Sequence, residues 1–152
     1  MGDAMITFFV PGVPVPKGSA KAYVNKHTGR AQVVQDNREK QKPWASAITL
    51  TAIERGVKWW TLYPVKVDLV FAMPRLKSHF GTGKNATSIK PNAPLEHTSK
   101  PDLDKLIRCV LDALTGVAWH DDSQVGEVSA SKYYRDDPGV IITLETLELT
   151  GP

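Results

Sequence analysis

Four aspartates carry the strongest chemical signal in this 152-residue chain: Asp102, Asp104, Asp121 and Asp122. Asp102 and Asp104 open the segment Pro101 to Leu114. There Leu103, Leu106, Ile107, Val110, Leu111 and Leu114 recur at i, i+3, i+4, i+7, i+8 and i+11, the signature of a helix with one apolar face. Acids at a helix N-terminus are held in their ionised form by the helix dipole. Asp104, Arg108 and Asp112 are spaced by four and share the polar side opposite the leucines. Gly116 ends the helix as a cap residue, and the turn that follows holds Trp119-His120-Asp121-Asp122. If the chain turns back there, Asp121 and Asp122 return toward the first pair. Three or four gathered carboxylates form a hard-oxygen site suited to Mg²⁺, with water and phosphate oxygens completing its octahedron. Such a site activates water and neutralises the charge that develops on a phosphodiester.

The same residues also have an ordinary reading. Asp102 can be an N-cap, Asp104 a first-turn acid and Asp121-Asp122 a polar turn. Asp112 is expected to pair with Arg108. Spacing alone leaves the metal site and the capping role both open.

Other chemistries have weaker support. His27, His79, His97 and His120 are scattered and make no His-x-x-x-His pair. Ser123 lies near Asp121 and His120, but no Gly-x-Ser-x-Gly elbow exists. Gly81-Thr82-Gly83-Lys84 lacks the full phosphate-loop spacing. Cys109, the single cysteine, falls mid-helix beside the apolar face and reads as a packing residue. With one cysteine there is no intramolecular disulfide and no cysteine zinc cluster.

The elements that must position the aspartates are readable in outline. Met5 to Val10 is a strand. The proline-rich run from Pro11 to Gly18 is a turn or an extended crossing. Lys21 to Val24 and Arg30 to Val34 flank turn residues and form a short hairpin. Asp36 or Asn37 caps a helix running to Arg55, with Trp44, Ala47, Ile48, Thr51 and Ala52 buried and Pro43 as a kink or the true start. Trp59 and Trp60 close the core or stack on bases. Pro64 to Met73 is an alternating strand. Gln124 to Tyr134 and Val140 to Leu147 are the last two strands, with Arg135 to Gly139 as their hairpin turn. After the Pro64 to Met73 strand, Pro74 to Ser99 breaks all periodicity. A structureless loop of roughly 25 residues in a compact domain tends to be functional or disordered.

Charge is unevenly distributed. Residues 1–73 carry net +5, residues 74–101 net +4, and residues 102–122 and 123–152 net −3 each. A basic first two-thirds fits a polyanionic partner, although ordinary surface scatter gives the same totals. Lys17, Lys21 and Lys26 of the hairpin region, and Arg75, Lys77, Lys84, Lys90 and Lys100 in and beside the loop, are the candidate DNA contacts. The hairpin lysines equally suit a protected edge strand. A composition of 41% hydrophobic and 23% charged residues predicts one folded domain over 1–152. No apolar run reaches the ~18 residues of a membrane helix. Met1 to Ala4 carries an acid and no basic leader, so a cytoplasmic setting is expected.

Lys100-Pro101-Asp102-Leu103-Asp104-Lys105-Leu106, then Asp112-Ala113-Leu114, then Asp121-Asp122-Ser123-Gln124-Val125 closely resembles the signature of RusA-type Holliday junction resolvases, small endonucleases common in phages and prophages. The resemblance implies an α+β fold, a small mixed sheet with two main helices, assembled as a homodimer. It implies an endodeoxyribonuclease that uses Mg²⁺, with Mn²⁺ as substitute, to cut four-way junctions in recombination and repair. The metal-binding aspartates of the family fall on Asp102, Asp104 and Asp122, with Asp121 the weaker member of its pair. The catalytic-helix lysine of the family falls on Arg108, a permanent cation that clamps phosphate but is no proton donor. The usual Asn after the second aspartate is Lys105, which can supply a cation from a neighbouring position. The long loop exceeds that of compact members, so flaps and forks remain alternative substrates. A DNA-binding module without catalysis remains the alternative of another class.

Overall fold

The computed structural model describes residues 5–18, 20–35, 38–57 and 63–147. The cap expected at Asp36 or Asn37, and Trp59 and Trp60, lie outside the described residues. The elements run β1 (Met5–Pro11), β2 (Ala20–Val24), β3 (Ala31–Gln35), α1 (Arg38–Glu54), β4 (Val65–Met73), α2 (Leu103–Leu114), β5 (Val125–Tyr134) and β6 (Gly139–Thr146). The architecture is α+β, as the family resemblance implied. β2 and β3 form the expected hairpin apart from a four-stranded sheet of order β1-β6-β4-β5.

Strand alternation decides the core. Val65, Val67, Leu69 and Phe71 of β4 are buried, as are Phe8 and Val10 of β1 and Val140, Ile142 and Leu144 of β6. In register, Phe8 faces Ile142 and Ile142 faces Leu69. This apolar face receives both helices. α1 contributes Trp44, Ile48 and Ala52, and α2 contributes Leu106, Cys109, Val110, Ala113 and Leu114. The buried stripe of α2 is thus centred nearer Cys109 and Ala113 than the leucine count implies; Leu103, Ile107 and Leu111 flank it. The Thr49 hydroxyl donates to the Ala113 carbonyl at 2.8 Å and ties the helices together. α1 continues through Pro43. The first four N–H groups of a helix have no intrahelical partner, so a proline this early removes only one bond just beyond them.

Two expectations are corrected. Arg135 to Gly139 does not make a hairpin of the last strands. β5 pairs with β4 in parallel, β6 pairs with β4 antiparallel, and β4 lies between them. The reason is β4 itself: Phe71, Ala72 and Met73 are buried in succession, which demands cover on both faces and suits a central strand. The turn crosses two strand spacings, about 10 Å, within easy reach of the Arg135–Pro138 connection. Gly139 is required where β6 begins, because a Cβ there would lie 2.4 Å from the Val10 carbonyl oxygen.

The long loop is not structureless either. It holds short 3-10 turns at Lys77–His79 and Gly83–Asn85. A bridge between Phe80 and Ile89 closes its tip. Its return leg lies along the edge of β5: Glu96 bridges Tyr133, Tyr134 N–H donates to Leu95 C=O at 2.9 Å, and His97 N–H donates to Lys132 C=O at 3.3 Å. Among the described residues, no helix is long and apolar enough to cross a membrane.

Burial pushes the Cys109 thiol up to about 11, with Asp112 adding to the shift and Lys17 opposing it. Cys109 is therefore expected to react with a thiol reagent at pH 8 on the order of tenfold or more slower than in urea-unfolded protein. Leu69→Ala, at the sheet–helix contact, is expected to lower the unfolding free energy by about 2–5 kcal/mol in urea titration.

Candidate nuclease site

The two aspartate pairs occupy opposite ends of α2. Asp102 is at the N-cap position, with φ −67° and ψ 140°, yet its side chain makes no capping hydrogen bond. Its backbone carbonyl accepts from Leu106 N–H at 3.2 Å, so the helix starts without using the carboxylate. Asp104 lies in the first turn, and both aspartates are exposed. Lys132 of β5 fixes the approach to this end: its Nζ donates to the carbonyls of Ser99 and Pro101, each at 2.7 Å. The intervening Lys100–Pro101 peptide is cis.

Asp102 lines a cavity of about 580 Å³. The segment Val13–Gly18 forms one wall, anchored by Lys17 N–H donating to the Lys105 carbonyl at 3.0 Å. Lys17, Lys40, Lys100 and Lys105 also line it. The lysines suit a phosphate in this cleft, with Asp102 the one carboxylate among the lining residues.

Asp121 and Asp122 do not return to this end. After α2, Gly116 takes φ +90° and its N–H donates to the Trp119 carbonyl at 2.8 Å, closing a tight turn. Asp121 caps the 3-10 turn Asp122–Gln124: its Oδ1 accepts from Ser123 N–H at 2.9 Å, while Gln124 Oε1 accepts from Asp121 N–H at 3.2 Å. The Ser123 hydrogen bonds hold the Asp121 carboxyl below the ordinary carboxylate range. Asp121 therefore has the capping role that Asp102 lacks, and Asp122 beside it is exposed. The 12 residues of α2 span about 18 Å, with one pair at its start and the other beyond its end. β5 is a second ruler, since Asp122 precedes its first residue while Lys132, near its far end, holds Pro101. Accordingly, among the described residues no three His, Cys, Asp or Glu side chains are close enough to hold a metal. The gathering of all four aspartates within one chain is not what the structure shows.

The remaining candidates divide by place. Arg108 is exposed on α2. Asp112 pairs with Lys17 rather than with Arg108, so Lys17 bridges the cavity wall to the helix. Lys26 is exposed in the β2–β3 turn; Lys21 is in β2, its side chain outside the described set. Lys77, Lys84 and Lys90 are exposed along the loop. Arg75 is engaged within the protein: its Nη1 donates to the Pro94 carbonyl at 2.8 Å, and its guanidinium lies 5.5 Å from the Tyr134 ring centre. Sequence reasoning missed Lys40, Lys132 and His97. Lys40 faces the cavity from a helix read only for its buried stripe, and the Lys132 contacts are to backbone carbonyls, which no side-chain motif reports.

Residues 11–145, which hold this cavity, both ends of α2 and the loop, match the family described as Endodeoxyribonuclease RusA. The chain belongs to the RusA endodeoxyribonuclease family. It is also similar to the uncharacterized protein YqaN of Bacillus subtilis (strain 168), 28% identical over 139 residues that span 91% of this chain and 94% of that protein. As a RusA-family protein it is an endodeoxyribonuclease.

Lys132→Met removes the clamp while keeping the aliphatic stem. DNA cleavage is expected to fall about tenfold or more, in line with displacement of site groups by a fraction of an ångström to an ångström. The far-UV circular dichroism should be unchanged, and DNA affinity in EDTA should stay near that of the wild type.

Proposed function

We propose that this protein is a Mg²⁺-dependent, structure-selective endonuclease that resolves four-way DNA junctions in recombination and repair, acting as a homodimer. The observation that carries this reading is Asp102: a helix-cap aspartate that does not cap, lining a cavity with Lys17, Lys40, Lys100 and Lys105. A protein that only bound DNA would gain nothing from an exposed carboxylate pair beside its phosphate-binding lysines.

Asp102 and Asp104 fit Mg²⁺, which is commonly held by one or two carboxylates with waters and substrate phosphate oxygens filling the remaining positions. When bound, the ion supplies activation of water and neutralisation of charge on the phosphodiester, and Mn²⁺ can substitute. The chain's own cations do the rest. Lys105 and Arg108, on the first turns of α2, stand beside the aspartates to offset negative charge on the phosphoryl oxygens. Lys100 holds the strand in the cavity, and the exposed Lys26, Lys77, Lys84 and Lys90 add salt-dependent affinity for flanking backbone.

The separation along α2 supports the homodimer. With Asp122 at the opposite end, a third carboxylate reaches the Asp102–Asp104 pair when two protomers are related by a two-fold axis, so that each site takes Asp122 of the partner subunit. Two such sites match the approximate two-fold symmetry of a four-way junction.

Asp104→Asn is expected to abolish paired, symmetric cleavage of a synthetic four-way junction in Mg²⁺ while leaving binding in EDTA near the wild-type level. Preferential cutting of flaps or forks by the wild type would keep the site and change the substrate. Binding with no cutting in Mg²⁺ or Mn²⁺ would reject the enzymatic reading. Shared sites also predict complementation. Asp102→Asn and Asp122→Asn proteins should each be inactive, yet a mixture refolded together should regain nicking, because one of the two sites in each heterodimer is then intact. No recovery in the heterodimer would mean that the carboxylates work within one chain.

A further inference from the structure

We infer that His97 is a further substrate-contacting residue of this site, its Nε2–H donating to a phosphate oxygen of the strand that enters the Asp102 cavity. This inference rests on the nuclease reading above and adds a residue that neither the aspartate motif nor the lysines include.

Position comes first. His97 lines the same cavity as Asp102, although it lies in the loop rather than on α2. Its backbone is held by the hydrogen bond to Lys132 C=O on the edge of β5. Its ring packs against Tyr134, centroids 4.8 Å apart and planes at 55°. Tyr134 is in turn braced by the His79 ring at 4.6 Å, edge-on, and by Arg75. The residue is only 8% exposed, so its ring is fixed by packing before any ligand arrives.

The two ring nitrogens are not equivalent. Nδ1 is buried with no hydrogen-bond partner. A proton on Nδ1 would be a buried donor with no partner, whereas one on Nε2 meets the Ser99 hydroxyl, so the proton is assigned to Nε2. Nε2 meets only the Ser99 hydroxyl, at 3.5 Å, the outer limit of a hydrogen bond. The result is a rigid N–H donor on a cavity wall with no good acceptor inside the protein.

The surroundings define the acceptor. Burial pushes the His97 imidazole below its ordinary value, and Lys132 adds to the shift. The cavity presents Lys17, Lys40, Lys100 and Lys105, with Asp102 as the one carboxylate among its lining residues, while Arg75 and His79 stand behind Tyr134. Burial and Lys132 favour the neutral ring, against the ring's contact with its own backbone. His97 therefore offers direction rather than charge: a lysine attracts phosphate from many angles, whereas a fixed N–H selects one oxygen and one strand path.

The test compares His97→Ala and His97→Gln in single-turnover cleavage of a four-way junction in Mg²⁺, with Asp102→Asn alongside. Loss of one hydrogen bond to a charged group predicts a rate about 10- to 100-fold lower for His97→Ala. The amide N–H of His97→Gln should restore most of that loss, with melting temperatures of the two variants alike. A second readout needs no turnover: in EDTA, the His97 ring ¹⁵N resonances of the wild-type protein should shift when junction DNA is added. Wild-type rates in His97→Ala, equal losses in the Ala and Gln variants, or ring resonances indifferent to DNA would each overturn the contact. If Asp102→Asn also cleaves like the wild type, the site reading itself fails; if Asp102→Asn is dead while the His97 arms are negative, only His97 is withdrawn.

Discussion

The site depends on one contact between a strand and a loop: Lys132 Nζ bonded to the carbonyls of Ser99 and Pro101. A carbonyl taken out of water needs a partner, and an ammonium group is a strong one. By satisfying two carbonyls on either side of Lys100, Lys132 defines where α2 begins and so where Asp102 stands. The backbone bonds of Leu95 and His97 to β5 align the same segment in register. Side chains from β5, the loop and α2 thus meet with little freedom, although the loop between them is long.

α2 has two functions that pull its sequence in different directions. Its buried face, Leu106 to Leu114, joins the sheet to α1. Its ends carry the acids, and its length keeps them apart. A single chain cannot bring Asp122 to Asp104 without dismantling the helix that supports both. Under the shared site proposed above, the third carboxylate comes from a second protomer, which would tie cutting to assembly.

Much of this was legible in the residues. The periodicity of α2, the alternation of β4 and the turn chemistry of the β2–β3 hairpin each reflect a local rule, and the structure follows them. The motif blocks around the aspartates resembled those of a nuclease family, and the family match agrees, while the spacing of the acids alone left capping and metal binding both open. Pairing partners were not legible. Arg135 to Gly139 has the composition of a tight turn, but a turn does not say which strands it joins; the consecutive burial of Phe71, Ala72 and Met73 does. The path of the loop was hidden because its order comes from backbone bonds to β5, which leave no pattern in side chains. His97 was passed over as one of four scattered histidines, since what distinguishes it is its burial on the cavity wall.

The closure at Phe80 and Ile89 has a consequence for how such an enzyme changes its reach. Lys90 N–H donates to the His79 carbonyl and Gly81 N–H to the Ser88 carbonyl, making a neck whose tip contains Lys84. Lengthening a closed loop costs little, because closure entropy grows only with the logarithm of its length. Residues can enter or leave the tip while the neck, the β5 contacts and Lys132 stay as they are. The tip is an interchangeable attachment: its span and charge can change without disturbing the cavity wall beside Asp102.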